Sequence, residues 1–73
     1  MTEQHKAARD LLKRAKRSEF ERILTEAKVP PIYEDVARLY LVKGFTLYQA
    51  AAKLNISERT ARKYIAIVYD RTL

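Results

Sequence analysis

The sequence contains no cysteine and no tryptophan, and only one glycine, one histidine and two prolines in 73 residues. Without cysteine there is neither a disulfide framework nor a thiolate zinc site. A lone histidine, His5, does not build a metal centre or a nucleophile relay, so no metal and no cofactor are expected, and His5 itself is expected on the surface. So little glycine and proline excludes a turn-rich β-barrel, an immunoglobulin-like sandwich and a low-complexity linker. No stretch approaches the roughly 18 apolar residues of a membrane span, and the N-terminus has no apolar secretory core. A cytoplasmic location without membrane association is therefore expected. Length excludes more. A chain of 73 residues is one domain at most, and such a chain buries only ~60% of its unfolded surface. It has no room for a large walled cleft, so an enzyme is not expected. The neighbouring carboxylates Glu34 and Asp35 read as a helix start rather than an acid/base pair, and neither Ser18 nor Ser57 has a base in the pattern.

What is present is apolar content sufficient for a small core, 48%, and an excess of positive charge. Fifteen Lys and Arg face nine Asp and Glu, a net +6. On so small a surface that field favours polyanions, nucleic acid being the usual one. The charge divides into +4 over residues 1–17, −1 over 18–43 and +3 over 44–73, so two basic ends flank a nearly neutral middle.

The periodicity is helical throughout, which predicts a small all-α domain of about four helices. Residues 2–17 are rich in Ala, Leu, Lys and Arg, with Thr2 as a cap and a narrow stripe at Ala8, Leu11, Leu12 and Ala15. Ser18-Glu19-Phe20-Glu21 has the form of a capping box. It either starts a second helix or lies inside one long helix bent near Ser18, and the long bent helix is the favoured expectation. Phe20, Ile23, Leu24 and Ala27 continue the apolar stripe. Val29-Pro30-Pro31 stops the helix. A further helix starts near Pro31 or Ile32, with Glu34 and Asp35 in its acid-favouring first turn. Its apolar face is Ile32, Val36, Leu39 and Tyr40, widened by Ala37 and Leu41. Gly44 follows as a left-handed helix stop. Thr46-Leu47-Tyr48-Gln49 is another capping box, predicting a helix from Leu47 to Leu54. Asn55 tolerates the left-handed conformation, Ser57 is the next cap, and a final helix runs from Glu58 to about Asp70.

Two short helices joined by the turn Asn55-Ile56-Ser57 have the layout of a helix-turn-helix. Ala51 supplies the small residue where such helices cross, and Leu54 and Ile56 pin the turn. Ala61, Ile65 and Val68 face inward with Tyr64 at the border. Glu58, Arg59, Arg62, Lys63 and Ala66 are left facing outward, as a helix entering a major groove requires. Glu58 serves its own helix start rather than a base. Tyr48 either touches a DNA backbone or covers Ala52.

The run from Gly44 through Thr46, Gln49-Ala50-Ala51, Leu54, Ile56-Ser57, Thr60-Ala61-Arg62 and Tyr64-Ile65 resembles the LuxR-type and sigma region 4 helix-turn-helix. Leu41-Val42-Lys43-Gly44 leading into it resembles the KorA/TrfB plasmid repressors. The resemblance covers residues 36–70, and residues 1–30 carry none. It implies that Arg59, Arg62 and Lys63 lie near bases and that Thr46, Gln49 and Thr60 lie near phosphates; Ala66 is expected on the base-facing side, and Ser57 and Tyr48 are expected among the backbone contacts. Tyr64, standing where the LuxR type has His, would reach a phosphate through its hydroxyl. Ala61 replaces the usual Val, and a tail of the kind the KorA group uses to dimerise is not expected after Leu73.

Residues 1–28 are thus expected to form a basic helix or helix pair for oligomerisation or DNA-backbone contact, and 31–73 the DNA-binding unit. Lys13, Arg14, Lys16 and Arg17 read either as a backbone clamp or as a solvated face. The stripe Leu11, Leu12, Phe20, Ile23 and Leu24 reads as core or as a dimer seam. The expected partners are double-stranded DNA and, through the N-terminal helix, a second copy of the chain. The expected function is a small transcriptional regulator, a repressor, of phage, plasmid or bacterial origin. The alternative is a helix-turn-helix protein-interaction or phage assembly and packaging factor, RNA-polymerase-binding or small-terminase-like.

Overall fold

The computed structural model describes residues 2–72. It contains five α-helices, α1 (Glu3–Arg14), α2 (Arg17–Ala27), α3 (Pro31–Ala37), α4 (Leu47–Leu54) and α5 (Glu58–Thr72). There is no strand among the described residues, so the all-α expectation holds with five helices rather than about four.

The fifth helix comes from a break inside the expected long N-terminal helix. Ala15 and Lys16 are extended, with ψ of 142° and 160°. The break lies before Ser18, which sits in the first turn of α2; Lys16 precedes that helix without a side-chain cap. Size explains it. One helix over residues 3–27 would span about 37 Å at 1.5 Å per residue, and the longest axis of the molecule is 27 Å. Only a folded-back chain brings Ala8, Leu12, Phe20 and Leu24, all 2% exposed or less, into one core.

The other boundaries follow local chemistry. Thr2 Oγ1 accepts the His5 N–H and caps α1. Lys28 takes a left-handed φ of 54° and ends α2. Pro31 opens α3, where its missing N–H costs nothing. Helix α3 runs on into a π-helical turn, Arg38–Val42, which the spacing of apolar residues did not foretell. Gly44 then reverses the chain at φ 78°.

Helix α5 is the axis of the fold and packs against α1, α2, α3 and α4. Ala61, Ile65, Val68 and Tyr69 form its buried side; Tyr69 is absent from the expected apolar set. A second finding the sequence did not signal is the role of Arg38. Its guanidinium donates to both carboxylate oxygens of Glu21, at 2.8 and 2.7 Å, and reaches Asp35 and Glu34 at 3.2 and 3.5 Å. This fork ties α2 to the π turn. It holds the Glu21 carboxyl below its usual range and raises the guanidinium pKa, chiefly through the shared hydrogen bonds.

Candidate nucleic-acid interface

Helices α4 and α5 form the helix-turn-helix, and each boundary is built from side-chain chemistry. Thr46 Oγ1 accepts the Gln49 N–H and Gln49 Oε1 accepts the Thr46 N–H, both at 3.0 Å. The box uses acceptor atoms. The Thr46 hydroxyl hydrogen and the Gln49 amide donors remain on an exposed helix start, which is the hydrogen-bonding sense a phosphate needs. Asn55 adopts φ 61°, ψ 42°. Ser57 Oγ accepts the Thr60 N–H at 3.1 Å and donates to Thr60 Oγ1 at 2.9 Å. Ala50, Ala51 and Ala61 are buried to within 2%, and side chains this small let the two helices approach closely.

The outward side of α5 carries Arg59, Arg62 and Lys63, all exposed, with Ala66 half-buried beside them. Among the described residues Arg59 and Lys63 have no side-chain hydrogen bond or ion pair. Arg62 donates to Glu58 at 2.7 Å, in an i,i+4 pair whose side chains are 65% and 44% exposed. So solvated a pair contributes at most about 0.5 kcal/mol, and the guanidinium is released at little cost when a better acceptor arrives.

The remaining expected positions divide. Tyr48 is 67% exposed and Ala52 is exposed too, so the ring is not used to cover Ala52 and stands clear beside the start of α4. Tyr64 is half-buried, its ring stacked on Tyr33 at 4.0 Å between centroids and 16° between planes. Its ring therefore serves the seam between α3 and α5. Lys13, Arg14, Lys16 and Arg17 are exposed at the α1–α2 junction.

His5 departs most from expectation. It is half-buried, with Nε2 2.5 Å from Asp70 Oδ1 and its ring 5.7 Å from that of Tyr69. Asp70 follows Arg59, Lys63 and Ala66 at helical spacing, so His5 fastens the start of α1 to the outward side of α5. A cleft of about 250 Å³ lies between them, with His5, Tyr40 and Leu47 facing Arg62, Ala66 and Tyr69. Tyr69 is 3% exposed and its hydroxyl has no partner among the described residues; burial pushes its pKa up to about 12.

No family model matches this chain, and neither curated proteins nor solved structures give a match. Among the described residues no helix is long and apolar enough to cross a membrane. No group of three or more His, Cys, Asp or Glu side chains suited to a metal ion occurs among them either.

Proposed function

We propose that this protein binds double-stranded DNA in a sequence-dependent way and acts as a small transcriptional regulator, most simply a repressor that occludes its site. The observation that carries this is the exposed basic side of α5, with Arg59, Arg62 and Lys63 projecting from a helix that a capped, alanine-packed partner holds rigid. A guanidinium there can bridge guanine O6 and N7 while Lys63 and Arg59 reach neighbouring base edges or phosphates. Exposed donors at Thr46, Gln49 and Tyr48 supply backbone contacts that set the depth of entry.

Recognition of two half-sites about one helical turn apart takes two copies. Leu12, Phe20 and Leu24 are buried in the chain's own core with Ile23 packed against it, and Leu11 is half-buried, which leaves little of that stripe for pairing with a second copy. Selection of bound sequences from random duplexes, with the protein's mass measured in solution, tests the reading. A consensus with steep salt dependence is expected, palindromic if the mass is that of a dimer. Weak binding without a preferred sequence overturns it and favours an assembly or polymerase-binding role.

A further inference from the structure

The two edges of α1 carry opposite charge patterns. Lys6, Arg9 and Lys13 follow an i, i+3, i+7 spacing and form one wholly basic stripe, with His5 beside Arg9 at i,i+4. Glu3, Ala7, Asp10 and Arg14 form the other stripe, which is net acidic. His5 shows which edge faces the recognition side. It touches Asp70 on the outward side of α5 and shares a cleft with Arg62. The His5 side of the basic edge therefore adjoins the base-facing side of α5, with the Asp70 carboxylate at the junction, and the acidic edge lies further round the helix. Among the described residues Lys6 and Lys13 are exposed and have no side-chain hydrogen bond or ion pair, whereas Arg14 Nε donates to the Asp10 carbonyl at 3.3 Å.

We propose that this edge is a second, phosphate-binding part of the DNA interface, with Lys6 and Lys13 gripping the sugar–phosphate strand that borders the groove entered by α5. The occupant is argued from charge complementarity and from the position of this edge beside the outward side of α5, and the inference rests on the DNA reading above. It divides the basic cluster of residues 6–17: Lys13 touches DNA, and its neighbour Arg14, about 100° further round the helix, does not. Arg9 has a buried Nε and mainly shapes the edge.

The test measures the affinity of the full chain for its selected duplex between 50 and 200 mM salt. Wild type is compared with Lys6→Gln, Lys13→Gln and Arg14→Gln, which each remove one exposed charge from the same helix. Each lost phosphate contact lowers the slope of log K against log salt by ~0.9, which shrinks the affinity loss over that range by about 3.5-fold. That reduction is expected for Lys6→Gln and Lys13→Gln, with Arg14→Gln keeping the wild-type slope. Equal effects from all three would show only a general charge effect and overturn the assignment, as would unchanged slopes in Lys6→Gln and Lys13→Gln. Wild type that binds no duplex overturns the DNA reading itself, whereas a wild type that binds with indifferent α1 variants overturns the edge alone.

Discussion

Replacing Ala51 with Leu tests the helix-turn-helix packing on which the interface depends. Ala51 is 2% exposed and lies beside Ala50 on a helix that packs against α5, where Ala61 is fully buried. None of these side chains has a rotamer into which it can retreat, so three added carbons must push the two backbones apart. Overpacking of this kind costs ~1–3 kcal/mol. A domain of this length has about 4–11 kcal/mol of stability in total, from the typical per-residue range. Each kcal/mol lowers the melting temperature by about 4–8 °C at this size, so a fall of at least ~4 °C is expected by circular dichroism. Ala52 is exposed on the same helix, and Ala52→Leu adds the same atoms to solvent-facing surface, where changes stay within about 0.5 kcal/mol. An Ala51→Leu protein that melts with wild type, or an Ala52→Leu protein that falls as far, would refute the register of α4 on α5.

Phe20→Ala removes a ring 1% exposed at the centre of the core; a loss of ~3–5 kcal/mol would leave much of the chain unfolded in urea titration, whereas a peripheral α2 would leave stability near wild type. Tyr69→Phe deletes a buried hydroxyl that has no partner among the described residues, so stability at neutral pH should equal or exceed wild type. Because burial raises the folded pKa of Tyr69 from 10.0 to about 12, its contribution is complete below pH 10 and lost across that interval. The Phe variant should lose less stability there, and an equal loss would refute the assignment. Glu21 has the opposite sign. Its folded pKa lies below the ordinary 4.5, so its ion pair stabilises above that pH and is lost as acid protonates it. Glu21→Gln should cost less than about 1 kcal/mol at neutral pH, since both partners are about a third exposed, and the gap from wild type should close on acidification; a constant gap would contradict this.

Features set by neighbouring residues were legible in the sequence. The Thr46–Gln49 box, the left-handed Asn55 and Gly44, the Ser57 cap and Pro31 at a helix start are each decided within about four residues, and all occur. Features set by distant groups were not. No glycine or proline marks the break at Ala15–Lys16; the size of the globule imposes it. Arg38 reads as an ordinary helical arginine until α2 folds back and sets Glu21 against it, 17 positions away. His5 and Asp70 lie 65 positions apart, and no periodicity within one helix connects them. The basic side of α5 was visible from helical spacing, but its contiguity with one edge of α1 came only from the packing.

Arg62 offers the most direct test of the DNA-binding claim, because it lies mid-way along the exposed side of α5 and, among the described residues, is held only by a solvated pair with Glu58. Affinity and consensus should be measured for Arg62→Ala against wild type by selection from random duplexes followed by titration of the selected site. A loss of ~1–3 kcal/mol on the preferred site, with one base position relaxed and the rest of the consensus kept, is the predicted result. Full affinity with an unchanged consensus would contradict a base-reading role for this face of α5.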